Sequence, residues 1–302
     1  MTGADTAETD ETKALPTVGW IGLGQMGHRM ARHVRAAGYP MIVSDRLSTD
    51  RAPEGARVAS GNGEVGEAAS IVVLSVPDGN ASHAICRDLM ARTPRSVELV
   101  IDTSTIGMQA ARTAAALLEA EGIAYVDAPV SGGVAGADAA SLSVILGCRQ
   151  ALLERISPLL SCIGGHLFHV GAEPGMGQAV KLLNNFLSAT AMAATSEAMA
   201  FADAVGLDMQ TALDVVNRST GQNTASRDKF PKRVVTESYD GGFAATMMAK
   251  DVRLYLDEVT GAGSASTLAA RIEALWSAFD QSADGADFTQ IYPFIRDGGE
   301  RG

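Results

Sequence analysis

Lys181 is the only lysine or arginine between Met176 and Asn217, and it stands in the stretch GMGQAVKLLNN among Val180, Leu182, Leu183, Phe186 and Leu187. An ordinary lysine ammonium keeps its proton to about pH 10.4, and apolar surroundings disfavour the charged form and bring that value down. A lysine so placed can take a proton from an alcohol or return one to a carbonyl. The competing reading is a stem lying along apolar surface with its ammonium in water. Asn185, four residues on, shares the helix face of Lys181 and offers neutral hydrogen bonds to a substrate.

Two other stretches carry chemistry. In DAPVSGG, Ser131, Gly132 and Gly133 follow a strand, and ligands of open α/β sheets bind at that edge. A serine followed by two glycines exposes backbone N–H groups that can hold a carboxylate in a small nest. MAKD supplies a second lysine, Lys250. His28, His33, His166 and His169 stand at no metal-ligand spacing and read as surface or structural residues. Cys86, Cys148 and Cys162 form no CxxC pair, so no metal and no disulfide framework is expected.

These residues need a scaffold, and the first half of the chain alternates strand and helix. Apolar runs at Thr17–Ile21, Met41–Ser44, Ile71–Val76, Leu99–Asp102, Ala124–Asp127 and Leu142–Leu146 read as strands, with helical stretches between most of them. Such alternation implies an α/β Rossmann domain, a doubly wound and mainly parallel sheet covered on both faces. Between the first strand and first helix stand Gly22, Leu23, Gly24, Gln25, Met26 and Gly27, a GxGxxG turn in the context that gives it meaning. Gly22 makes the turn, Gly24 lets backbone approach a pyrophosphate, Gly27 allows close helix–strand packing, and the helix N-terminus favours phosphate. Asp45 ends the second strand, where its carboxylate suits ribose hydroxyls and repels a 2′-phosphate, which favours NAD. Arg46 beside it can accommodate that phosphate, so NADP is also possible.

The second half reads as an all-α domain, with helices at 177–205, 209–217, 247–260 and 267–283 and a loop at 218–233 placed to select substrate. Helices this rich in alanine and apolar residues must bury more than one face, so a homodimer or homotetramer is expected. The division is an acidic, disordered tail at 1–14, a nucleotide-binding domain at 15–175 and a helical domain at 176–302. A net charge of −11 argues against nucleic acid and against an anionic membrane surface as partners. The longest apolar stretch, 186–206, contains Glu197 and Asp203 and reads as a buried helix, not a membrane span. The cysteine pattern makes a reducing, cytoplasmic location the default.

Taken together, WIGLGQMGHRMA, DAPVSGG, GMGQAVKLLNN and MAKD resemble the β-hydroxyacid dehydrogenases, in that family's order and spacing from about Val18 to near Phe294. Trp20 stands where the family usually has Phe, at a packing position. The resemblance implies a nicotinamide-dependent enzyme that oxidises a small 3-hydroxy acid or reduces its semialdehyde. It puts the catalytic lysine on Lys181, the carboxylate site on Ser131, Gly132 and Gly133, and a substrate-binding asparagine on Asn185. It puts cofactor contacts on Val76, Pro77, Ser104 and Thr105, and a further lysine near cofactor and substrate on Lys250. Candidate substrates are 3-hydroxyisobutyrate, tartronate semialdehyde, serine, threonate and succinate semialdehyde. Imine reductases share the architecture but generally lack the lysine, and a catalytically silent nucleotide-binding protein is the alternative from another class.

Overall fold

The computed structural model describes residues 14–299; the acidic segment expected at 1–14 lies, except for Ala14, outside the described residues. Strands β1 (Val18–Ile21), β2 (Met41–Ser44), β3 (Arg57–Val58), β4 (Ile71–Leu74), β5 (Leu99–Asp102) and β6 (Ala124–Asp127) run parallel in the order β3-β2-β1-β4-β5-β6. Between them lie α1 (Gly27–Ala36), α2 (Asn62–Ala68), α3 (Gly79–Met90) and α4 (Met108–Glu119). The chain leaves β1 in one direction and returns to β4 on its other side. The resulting switch point opens a crevice beyond the ends of β1 and β4.

Alternation along the strands explains why the sheet is covered on both faces. Val18, Trp20, Ile71, Val73, Leu99 and Ile101 enter one core with Met30, Ala31 and Val34 of α1. Ile21, Val72, Leu74 and Val100 enter the other with Val65, Leu89 and Leu118. The described strands agree with those expected, with β4 ending at Leu74 rather than Val76.

The sheet then changes direction. After β7 (Val130–Ser131) and α5 (Gly133–Asp138), β8 (Leu142–Gly147) runs antiparallel to β6 and β7. The pairs Asp127↔Gly147, Val130↔Val144 and Ser131↔Ser143 keep one register, so β7 continues the path of β6 past Pro129. Helix α6 (Gln150–Leu160) leads to β9 (Gly164–Gly171), parallel to β8. Strand β9 holds three glycines and two histidines and is largely exposed at the sheet edge, so no apolar alternation announced it.

Helices α7 (Met176–Ala204), α8 (Met209–Val216), α9 (Ala245–Gly261), α10 (Thr267–Ser282) and α11 (Ile291–Arg296) form the second layer. Their core joins Phe186, Met192 and Met199 of α7 to Val252, Trp276, Phe279 and Tyr292. The segment expected as a loop at 218–233 differs: Ala225–Val234 is a π-helix. Phe230, fully buried, meets the Tyr292 ring edge-on at 5.5 Å. Ser226, also fully buried, exchanges hydrogen bonds with Asn217 and Asn223. These tertiary contacts override a composition of turn-forming and charged residues. No helix among the described residues is long and apolar enough to cross a membrane.

Candidate active site

At the switch point the three motif glycines have three separate physical reasons. Gly22 has φ +98°, and a Cβ there would strike the Ser75 carbonyl. A Cβ on Gly27 would strike the Gly22 carbonyl, so α1 packs on the turn only because Gly27 has no side chain. Gly24 needs no left-handed backbone, and a Cβ there would meet no atom within 4 Å. Nothing in the protein demands glycine at 24, and the free space above it fits a ligand that approaches backbone closely. Met26 precedes α1 and caps none of its first N–H groups with a side chain. His28 N reaches the Gly24 carbonyl at 3.4 Å and Met30 N the Met26 carbonyl at 3.1 Å, while Gly27 N and Arg29 N take no backbone acceptor among the described residues and can serve a phosphate. Gln25 is exposed, and its carbonyl and side-chain oxygens accept from Arg29 at 2.6 and 2.9 Å.

Asp45 closes the loop from the next strand. Its Oδ2 accepts from Leu23 N at 2.7 Å, and its Oδ1 from Leu47 N at 2.7 Å and Ser48 N at 3.1 Å. Burial pushes the carboxyl up, but those three donors and the Arg46 charge outweigh it and hold Asp45 below the usual carboxylate range. Arg46 is exposed and makes no ion pair among the described residues.

The loops after β4 and β5 are joined to each other and to α9. Val76 N donates to Ser104 Oγ at 2.9 Å. Lys250 Nζ donates to Pro77 O at 2.9 Å and Thr105 O at 2.7 Å. An ammonium shared by two carbonyls from separate strands fixes their spacing.

Lys181 is 8% exposed, and its ammonium has no hydrogen-bond or ion-pair partner among the described residues. Burial pulls its pKa below the ordinary lysine value; Asp251 opposes this and Lys250 adds to it. Asn185, also buried, donates from Nδ2 to Asp251 Oδ2 at 2.6 Å and accepts from Asn184 at 3.2 Å. One of its two amide hydrogens is thus committed to the protein.

Asp251 is the residue that sequence reading passed over. It is 1% exposed, inside a helix face of Met248, Ala249 and Val252. Its Oδ1 lies 3.2 Å from Lys250 Nζ but accepts no hydrogen bond, because Lys250 aims its N–H bonds at the two carbonyls; the contact is ionic. The signal was present in MAKD, where an acid follows the lysine inside an apolar stretch.

Ser131, Gly132 and Gly133 lie at the end of β7 rather than directly after β6. Gly132 has φ +134° and Gly133 φ +63°. Both are exposed, and Ser131 Oγ has no partner among the described residues. No hydrogen bond among the described residues links this trio to Lys181 or Asn185. Their shared neighbour is β8, which pairs with β7 and packs against α7. Of the histidines expected on a solvated face, His33 differs: its Nε2 meets the Ala137 and Asp138 carbonyls at the end of α5 at 3.1 and 3.0 Å. No cluster of three or more metal-ligating side chains occurs among the described residues.

Residues 17–171 match the family model described as the NAD binding domain of 6-phosphogluconate dehydrogenase. Residues 175–295 match the one described as NAD-binding of NADP-dependent 3-hydroxyisobutyrate dehydrogenase. The chain is 32% identical over 245 residues to 2-(hydroxymethyl)glutarate dehydrogenase of Eubacterium barkeri, covering 80% of this chain and 81% of that one. The solved structure of Mycobacterium tuberculosis 3-hydroxyisobutyrate dehydrogenase with L-serine matches with TM-score 0.86 at 31% identity, over 93% of this chain and 99% of that one. An imine reductase from Myxococcus stipitatus, solved with NAD+, reaches TM-score 0.64 at 19% identity over 93% and 99% of the two chains, a likeness of fold alone. Fold, glycine turn and relatives together define an NAD(P)-dependent oxidoreductase acting on a CH–OH group. The chain belongs to the β-hydroxyacid dehydrogenase family.

Proposed function

We propose that this enzyme interconverts a small 3-hydroxy acid and its semialdehyde, with Lys181 as general acid and base. The observation that carries the reading is a buried lysine with an unpartnered ammonium whose pKa burial has lowered. The nicotinamide, when bound, supplies the hydride acceptor or donor. Gly22 to Gly27 and Asp45 would hold its pyrophosphate and ribose, with Val76, Pro77, Ser104, Thr105 and Lys250 shaping the loops beside it. In oxidation, Lys181 takes the hydroxyl proton on Nζ as the C–H bond breaks; in reduction it returns that proton to the carbonyl oxygen. Asp251 keeps enough positive charge at the site for the proton to be held, and Lys250 limits it. Ser131 Oγ and the N–H groups at Gly132 and Gly133 take the substrate carboxylate, and Asn185 orients the substrate with the amide hydrogen that Asp251 leaves free.

Asp45 supports NAD over NADP, since its ionised carboxylate repels a 2′-phosphate. We place the division between nucleotide-binding (15–175) and helical (176–302) parts at Gly175, whose φ of +93° starts α7. A homodimer or homotetramer is supported by α7, where Met176, Val180, Leu183, Leu187 and Phe201 are exposed. The first four are spaced by three and four residues, an apolar stripe on one face. Three unpaired cysteines accord with a cytoplasmic location. The imine-reductase reading is disfavoured by Lys181 itself. The test is a panel of 3-hydroxy acids and semialdehydes followed by nicotinamide absorbance with both cofactors, run on the wild type and on Lys181→Ala. Turnover of several acids by the wild type at rates that Lys181→Ala fully retains would overturn the assignment of Lys181.

A further inference from the structure

Asp127 ends β6 fully buried, and the start of α7 takes both of its oxygens. Oδ1 accepts from Gly175 N at 3.0 Å and Oδ2 from Gln178 N at 2.9 Å. Two glycines make room for it: a Cβ on Gly147 would strike Oδ1, and one on Gly177 would come within 2.7 Å of Oδ2. Gln178, equally buried, carries the grip to the neighbouring strand. Its Oε1 accepts from Ile106 N at 2.9 Å and Gly107 N at 3.2 Å, and its Nε2 donates to Ser104 O at 3.0 Å.

This buried network is expensive by itself. Burial holds the Asp127 carboxyl up at about 6 despite its backbone donors, and apolar side chains of the same volume would pack here at no such cost. What an apolar pair lacks is direction: hydrogen bonds fix one register, whereas methylenes slide. The first turn of α7 has no side-chain cap from Gly175, so its orientation depends on Asp127 and Gln178. Lys181 follows Gln178 by three residues, one turn along the same buried face.

We infer that Asp127 and Gln178 are positioning residues, which lock the first turn of α7 to the ends of β5 and β6 and so hold Lys181 in register with the Ser104–Thr105 loop. The inference rests on Lys181 being the acid and base. A misplacement of about 1 Å costs up to roughly 100-fold in rate, so the network has a large effect available to it.

The test is a double-mutant cycle. Gln178→Met keeps the volume and removes all three side-chain hydrogen bonds. In the wild-type background it is expected to lower kcat by about 10- to 100-fold, with the dissociation constant for the nucleotide changed less than about threefold. In a Lys181→Ala background, whose residual rate no longer depends on where the lysine sits, the same substitution is expected to change the rate less than about threefold. Equal losses in both backgrounds, or parallel losses of kcat and nucleotide affinity, would overturn the positioning role while leaving Lys181 as acid and base. A Lys181→Ala enzyme with the wild-type rate would instead sink the acid–base reading. If Gln178→Met does not fold, Asp127→Asn, which keeps shape and one acceptor, is judged by the same criteria.

Discussion

Replacing Asp251 by asparagine tests the electrostatics of the site most directly. The substitution keeps shape and an acceptor for Asn185 while removing the negative charge that raises the Lys181 pKa. Among the described residues Asp251 pairs only with Lys250, so its distance to the Lys181 ammonium exceeds the 4.0 Å ion-pair range. Within a buried site an opposite charge beyond direct contact still favours the ammonium, so Asp251 holds the Lys181 pKa up against burial. Without Asp251 the ammonium loses its stabilisation while burial and Lys250 still oppose it, so the Lys181 pKa falls further. On the proposed mechanism oxidation requires neutral Lys181, so the acid limb of kcat against pH should move to lower pH. Lys250→Met removes the repelling charge and should move the same limb up. The assay is kcat for hydroxy-acid oxidation over the full range in which each folded variant is soluble. Limbs that stay in place in both variants, or move in the same direction, would refute the assignment of that limb to Lys181.

Lys181→Ala should keep the fold and nucleotide binding but lose at least about 100-fold in kcat, measured in single-turnover and steady-state assays. NAD should exceed NADP in kcat/KM; a clear NADP preference would show that Arg46, not Asp45, governs the ribose pocket. Amides or methyl esters of an accepted acid should lose most of kcat/KM, since each charge-assisted bond to the carboxylate is worth roughly 1.5–3 kcal/mol; equal turnover of a neutral alcohol would discard the Ser131–Gly133 site. Asp127 gives a stability signature. Its folded pKa of about 6 stands above the ordinary 3.8, so its contribution is full below about pH 4 and is lost as pH rises to 6, about 3 kcal/mol in all. Asp127→Asn should flatten that part of the unfolding free energy against pH; an unchanged slope in urea titrations would count against a buried, raised carboxyl.

Local pattern was enough to read the nucleotide half. Strands buried on both faces are continuous apolar runs, and a glycine turn between strand and helix has few physical uses, so β1, α1, β2 and Asp45 were legible residue by residue. Lys181 was legible for the same reason: one cation inside a long apolar helix is conspicuous in one dimension. Where pattern is weak, only the folded chain decides. Strand β9 is an exposed edge without alternation, and the direction of β8 depends on its partner, not on its own residues. The π-helix at Ala225–Val234 forms because Phe230 and Ser226 find partners elsewhere in the chain. The site divides along the same line. The sequence determined which residue types the proposed chemistry uses. Tertiary structure decided that Asp251 meets Asn185, that Lys250 spans two loops, and that Asp127 and Gln178 grip the helix bearing Lys181. Those contacts join residues 48 to 173 positions apart, and hydrogen bonds over such separations leave no periodicity in the sequence to read.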